Sequence, residues 1–169
     1  MPIRGKIKIE DIVYAACAFE CEGSVTLSRG YSPRGWYGCT PFISIANIDR
    51  RLVDWLQDNF GGHILSESPK KLSRRVIYRW KIYSSYCIEF LQLVLPYLKF
   101  KQDRAALVID YWTKRDNLSN AQKDEYWLRL KALNKGESPA ETKRENAETN
   151  LRSDSPIPVE TPVNEAMAS

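Results

Sequence analysis

The spacing of apolar and polar positions divides the chain into a mixed series of helices and strands. The segment KIKIEDIVYAACAFECE predicts a first helix, with Glu10 and Asp11 in its opening turn and Gly23 as its stop. SVTLSRGY then alternates with period two, a turn-rich YSPRGWYG follows, and TPFISIAN resumes the alternation, which together predict a strand pair. DRRLVDWLQDNF reads as a second helix ended by Gly61 and Gly62. HILSES and RRVIYRWKIYS form another strand pair across the basic turn SPKKLS. Three more helical patterns complete the body: SYCIEFLQLVLPYL, interrupted at Pro96; KQDRAALVIDYWTKRD; and NAQKDEYWLRLKALNKG, ending at Gly136. This order predicts an α+β domain with one four-stranded antiparallel sheet backed by helices. The predicted domain covers residues 1–137. Residues 138–169 are acidic, poor in large apolar groups and include SPIPVETP, so they predict a disordered tail.

Charge sharpens this division. Residues 1–136 carry 22 Lys and Arg against 14 Asp and Glu, a net +8, whereas residues 137–169 carry 3 against 7, a net −4. A basic folded body suggests a polyanionic partner, although many soluble proteins are as basic without one. No apolar run approaches the length of a membrane span, and MPIRGKIKIE lacks the apolar centre of a secretory leader, so an intracellular protein without a membrane partner is expected. Cys17, Cys21, Cys39 and Cys87 form no CxxC pair and His63 is the sole histidine, which argues for packing thiols over a zinc site.

The end of the first helix carries the chemistry. Residues 12–19, IVYAACAF, are uncharged on every side, so the helix should be covered all round. Ala15, Ala16, Cys17, Ala18 and Cys21 are small enough to admit a second helix backbone, and a twofold copy of the same helix would make them a homodimer seam. Glu20 and Glu22 then occupy the last turn, where anions meet the negative end of the helix dipole at a cost of about 0.3–1 kcal/mol each. Either both reach solvent, or a divalent cation reverses the local field and makes the placement favourable.

With the strand that follows, AACAFECEG resembles the LAGLIDADG motif of homing endonucleases and related intron-encoded proteins. Ala15 and Ala16 match the motif's Leu and Ala, Cys17 replaces its Gly, and Glu22 matches the final acid before the glycine. The resemblance extends to about residue 136 through ISIANIDRRLVDWL, LPYLKFKQ and LKALNKG. It implies a DNA endonuclease in which Glu22 is the catalytic Mg²⁺ ligand at the centre of a dimer interface, with Ca²⁺ able to bind without turnover. It further implies that Asn47 helps position solvent and that Lys101 polarises solvent or stabilises the transition state. Glu20 is expected to support the turn or the subunit contact. One motif per chain implies a homodimer that makes a double-strand break in a long, roughly palindromic site. The alternative within the family is a catalytically silent intron RNA maturase or DNA-binding protein.

Alternation also predicts the face that meets DNA. Val25, Leu27, Ile43, Ile45, Val76, Tyr78, Trp80 and Ile82 should face the core. Ser24, Thr26, Ser28, Thr40, Phe42, Ser44, Arg75, Arg79 and Lys81 should face outward, a set suited to a major groove. Arg29, Arg34, Lys70, Lys71 and Arg74, at strand ends or turns, suit phosphate contact.

Overall fold

The computed structural model describes residues 7–31, 37–67 and 75–136. Arg34, Lys70, Lys71, Arg74 and the expected tail at 138–169 lie outside the described residues. The helices are α1 (Ile9–Glu22), α2 (Arg50–Phe60), α3 (Ser84–Val94), α4 (Gln102–Lys114) and α5 (Asn120–Lys135), and the strands are β1 (Gly23–Tyr31), β2 (Tyr37–Asn47), β3 (His63–Glu67) and β4 (Ile77–Tyr83). Pro96 falls in a 3₁₀ turn, Leu95–Tyr97, that ends α3, because proline cannot continue the hydrogen-bond ladder. A second 3₁₀ turn, Arg115–Asn117, closes α4.

Local chemistry accounts for the helix starts. The Asp49 carboxylate accepts from the Arg51 amide and opens α2. Ser119 and Gln122 form a reciprocal capping box at α5, with the Ser119 amide donating to Gln122 Oε1 at 2.8 Å. The first helix begins at Ile9, later than the apolar pattern suggests, because Lys8 is already extended at ψ 150°. Gly136 ends α5 in the left-handed conformation, φ 81°. Gly23 is different: it is extended at φ −88°, so α1 runs straight into β1 without a left-handed cap. What requires glycine there is space, since a Cβ would overlap the Phe19 ring and lie 2.6 Å from the Phe19 carbonyl oxygen.

The strands pair antiparallel in the order β1-β2-β4-β3. Val25, Leu27, Ile43, Ile45, Trp80 and Ile82 point to the helix side and are almost wholly buried. There they meet Phe19 of α1, Leu56 and Phe60 of α2, Phe90 and Leu91 of α3, and Tyr111 of α4. Phe90 is the hub, with its ring 5.1 Å from Phe60, 5.4 Å from Trp80 and 6.1 Å from Phe19. The indole N–H of Trp80 donates to the Gly61 carbonyl at 2.7 Å, so this large buried group leaves no polar atom unsatisfied. With the helices on one face, the sheet presents its other face outward.

Candidate active site and nucleic-acid interface

The end of α1 is clamped to the start of α4 by two side chains that exchange ends. Glu20 of α1 accepts the amides of Phe100 and Lys101, at 3.0 and 2.9 Å, at the amino end of α4. Lys101 in turn extends its amine to the carbonyl oxygens of Phe19 and Gly23, at 2.8 and 2.6 Å, at the carboxyl end of α1. Each charge meets the helix dipole it suits, carboxylate at an amino end and ammonium at a carboxyl end. Half-buried, Lys101 loses solvation, and this, with repulsion from Arg104, lowers its pKa; Glu20, Cys21 and Glu22 pull it back up. Its ammonium has three N–H groups, so the two carbonyls leave one.

The crowding of acids at the negative end of α1 is therefore resolved differently for the two. Glu20 caps another helix, the turn-supporting role expected of it. Glu22 is exposed, and among the described residues no hydrogen bond or ion pair engages its carboxylate. It directly precedes Gly23, whose partner across the sheet is Ile45. Asn47 ends β2 two residues beyond Ile45, and its Oδ1 accepts the Asp49 amide at 2.8 Å. Its side chain thus organises the entry to α2 while its NH₂ group carries no hydrogen bond among the described residues. Glu22 and Lys101 share one turn, with Asn47 at the neighbouring strand end.

The fit of a divalent ion can be judged from these donors. Among the described residues no group of three or more His, Cys, Asp or Glu side chains gathers around a common point. At this turn Glu20 is engaged with amides, which leaves Glu22 as the open carboxylate among the described residues. That is too little for Ca²⁺ held by protein alone, but it matches Mg²⁺, which is commonly bound through one or two carboxylates plus phosphate and water.

The outward face of the sheet carries Ser24, Thr26 and Ser28 opposite Ser44, Phe42 and Thr40. Lys81 and Arg79 continue it across β4, opposite Ser44 and Ala46. Arg75 is exposed just ahead of β4. Two expected contacts are placed otherwise. Arg29 shares the parity of Val25 and Leu27, so it points to the helix side, where it pairs with Asp124 at 3.3 Å and stacks 3.8 Å over the Trp127 ring. Tyr37 also bonds to that Asp124 carboxylate. Ser44 faces outward but is only 4% exposed, roofed by its neighbours, with its hydroxyl taking Arg79 Nη1 at 3.3 Å. Sequence reasoning missed Glu67, which lies on this same face and chelates Arg79. The period-two pattern of HILSES could have placed it.

The seam expected on α1 is narrower than the full set of small residues. Ala15 and Ala16 are 0% and 1% exposed and pack into the chain's own core, so they are not on the surface. The exposed stripe instead runs through Val13, Tyr14, Cys17 and Cys21, with Ala18 half-buried beside it. These positions recur at helical spacing and carry no charge. Repulsion from Cys17 pushes the pKa of Cys21 up. No described helix is long and apolar enough to cross a membrane.

No protein-family model and no curated protein sequence matches the chain. Solved structures do. The homing endonuclease I-CvuI, described in complex with DNA that is not cleaved in the presence of Mg, is similar with a TM-score of 0.53 and 12% identity over 90% of this chain and 89% of that one. An archaeal intron-encoded homing endonuclease, I-Vdi141I, complexed with DNA, gives 0.58 and 16% over 77% and 86%. The LAGLIDADG homing endonuclease I-SmaMI, bound to cleaved DNA, gives 0.55 and 20% over 96% of this chain but 53% of that one, so this chain spans about half its length. At these identities the likeness establishes architecture: the chain has the fold of the LAGLIDADG homing endonucleases.

Proposed function

We propose that this chain is a sequence-specific, Mg²⁺-dependent DNA endonuclease that works as a homodimer on a long, roughly palindromic site. The observation that carries the reading is Glu22: a carboxylate unengaged among the described residues, at the end of a helix whose exposed stripe is apolar, beside a sheet face of short polar and cationic side chains. That I-CvuI, I-Vdi141I and I-SmaMI, which share this fold, are found in complex with DNA supports it by analogy of fold.

In this reading α1 meets its symmetry mate along Val13, Tyr14, Cys17, Ala18 and Cys21. The contact brings the two Glu22 carboxylates towards one twofold axis. Glu22 would hold the metal, which when bound neutralises phosphate charge and lowers the pKa of water. Lys101 fixes the turn beneath Glu22 through two of its N–H groups and keeps the third for a phosphate oxygen or solvent. The Asn47 amide NH₂ is free to orient a water molecule from the strand end. Thr26, Ser28, Thr40, Phe42, Arg79 and Lys81 supply the groove-facing surface, with Ser24 at its inner margin. Arg34, Lys70, Lys71 and Arg74 remain proposed phosphate contacts, and Arg75 lies next to them in the chain.

A randomised duplex library incubated with the full chain and Mg²⁺ should yield a selected cleavage site. On that site Glu22→Gln is expected to lose at least a hundredfold in cleavage rate while still binding the duplex in Ca²⁺. Cleavage retained by Glu22→Gln would overturn the assignment. Selective binding with no cutting by the wild type would indicate a DNA-binding protein of the same fold, and acceleration of intron RNA splicing would indicate a maturase.

A further inference from the structure

Arg79 is held in an orientation that its sequence position does not explain. Its Nε and Nη2 donate to the two carboxylate oxygens of Glu67 at 2.8 and 3.2 Å, and its Nη1 donates to Ser44 Oγ at 3.3 Å. The register makes this possible. Glu67 pairs with Ile77, two residues before Arg79, so both side chains rise on the outward face. Ala46, directly across from Arg79 on β2, is too short to cover the guanidinium.

Stability does not account for the arrangement. The Glu67 side chain is 51% exposed and that of Arg79 is 29% exposed, and ion pairs this open contribute little. A carboxylate on a surface meant for DNA also repels phosphate, so it opposes non-specific attraction. What the pair does achieve is direction. Guanidinium has five N–H groups; the three bonds leave one N–H on each terminal nitrogen. Two adjacent donors on one planar group match the O6 and N7 acceptors of guanine in the major groove, and few other base edges. Locking the rotamer in advance removes ordering cost from binding.

We propose that Arg79 reads one guanine in each half-site, and that Glu67 and Ser44 are positioning residues that aim it. The proposal rests on the DNA-binding reading above and goes beyond it in naming a base and its reader.

The test is binding selection from a randomised duplex library in Ca²⁺, using the full chain, followed by affinity measurements with each base substituted in turn. The wild type should prefer guanine at one position per half-site by about tenfold or more. Arg79→Lys keeps the charge but not the fork, and should flatten that position while leaving the others unchanged. Glu67→Gln should reduce discrimination at the same position by several-fold, because the guanidinium is no longer held by a charged partner. A uniform affinity loss with an unaltered base profile would overturn the proposal and make Arg79 a phosphate contact. An unaltered profile in both variants would overturn it equally. Absence of any sequence-selective binding by the wild type would overturn the DNA-binding reading together with it.

Discussion

Gly23 shows how a single atom constrains the junction that carries Glu22. Its backbone angles are open to any residue, so conformational freedom is not the reason for glycine. A methyl group there would press into the Phe19 ring and backbone, which are buried against Phe90. Gly23→Ala should therefore cost about 1–3 kcal/mol, the range for overpacking a filled site, with the denaturant midpoint as the measurement. An unchanged midpoint would mean that Phe19 yields without penalty. Gly62, by contrast, combines both demands, with φ at 92° and an added Cβ lying 2.6 Å from the Lys81 carbonyl oxygen.

At the scale of elements, α1 faces two ways. Its inner side, Ala15, Ala16 and Phe19, belongs to the core, and its outer side holds Val13 at 43% and Tyr14 at 54% exposure alongside Cys17 and Cys21. Cys17→Glu should leave the monomer folded, because the position is on the surface. In a twofold contact each new carboxylate would lie near its own symmetry copy and weaken the dimer at least tenfold. Sedimentation velocity with a far-ultraviolet circular dichroism control measures this; a monomeric wild type would overturn the proposed dimer, and an unchanged dimer would move the interface elsewhere. The helix itself was legible from its apolar run, but the inner and outer sides were not, since IVYAACAF has no polar face to set the phase. Strand faces were clearer: Val25 and Leu27 already imply that Arg29 turns inward, a consequence the alternation contained. Glu20 was legible as a support for the turn only through resemblance, because the amides it caps lie 80 and 81 residues further along the chain. The Arg79–Glu67 pair likewise depends on register between β3 and β4, which spacing alone does not supply.

Across the whole molecule, ionic contacts on the described surface each contribute little, but together they give stability a dependence on pH. Hydrogen bonds from Arg51 hold the Asp49 carboxyl down to about 2. Glu67 is lowered by Arg79, Asp110 by Lys114 and Tyr126, and Asp124 by Tyr37 and Arg29. In the unfolded chain these groups take up protons near about pH 4. Their folded values are the lower ones, so the stability they contribute is present above that pH and is lost as pH falls towards the folded values. At the alkaline end the sign is the same in effect but opposite in direction. Burial pushes Tyr111 up to about 12 and raises Tyr37 as well, so the protonated form is favoured in the fold, and stability drains as pH rises past about 10. Thermal melts should accordingly show a falling Tm from about pH 5 to about pH 3, more clearly at low salt. A flat profile over that interval would mean that the ion pairs do not persist in solution.

The crossed grip of Glu20 and Lys101 has a consequence for the order in which the molecule comes into being. The carboxylate proposed to hold metal is encoded near the beginning of the chain, yet the turn beneath it is locked only by residues made some eighty positions later. A nascent or truncated polypeptide that ends before Phe100 carries Glu22 on a helix end without this grip. In the proposed nuclease, cutting competence would then await synthesis of the segment around Lys101, and shorter fragments would not cut.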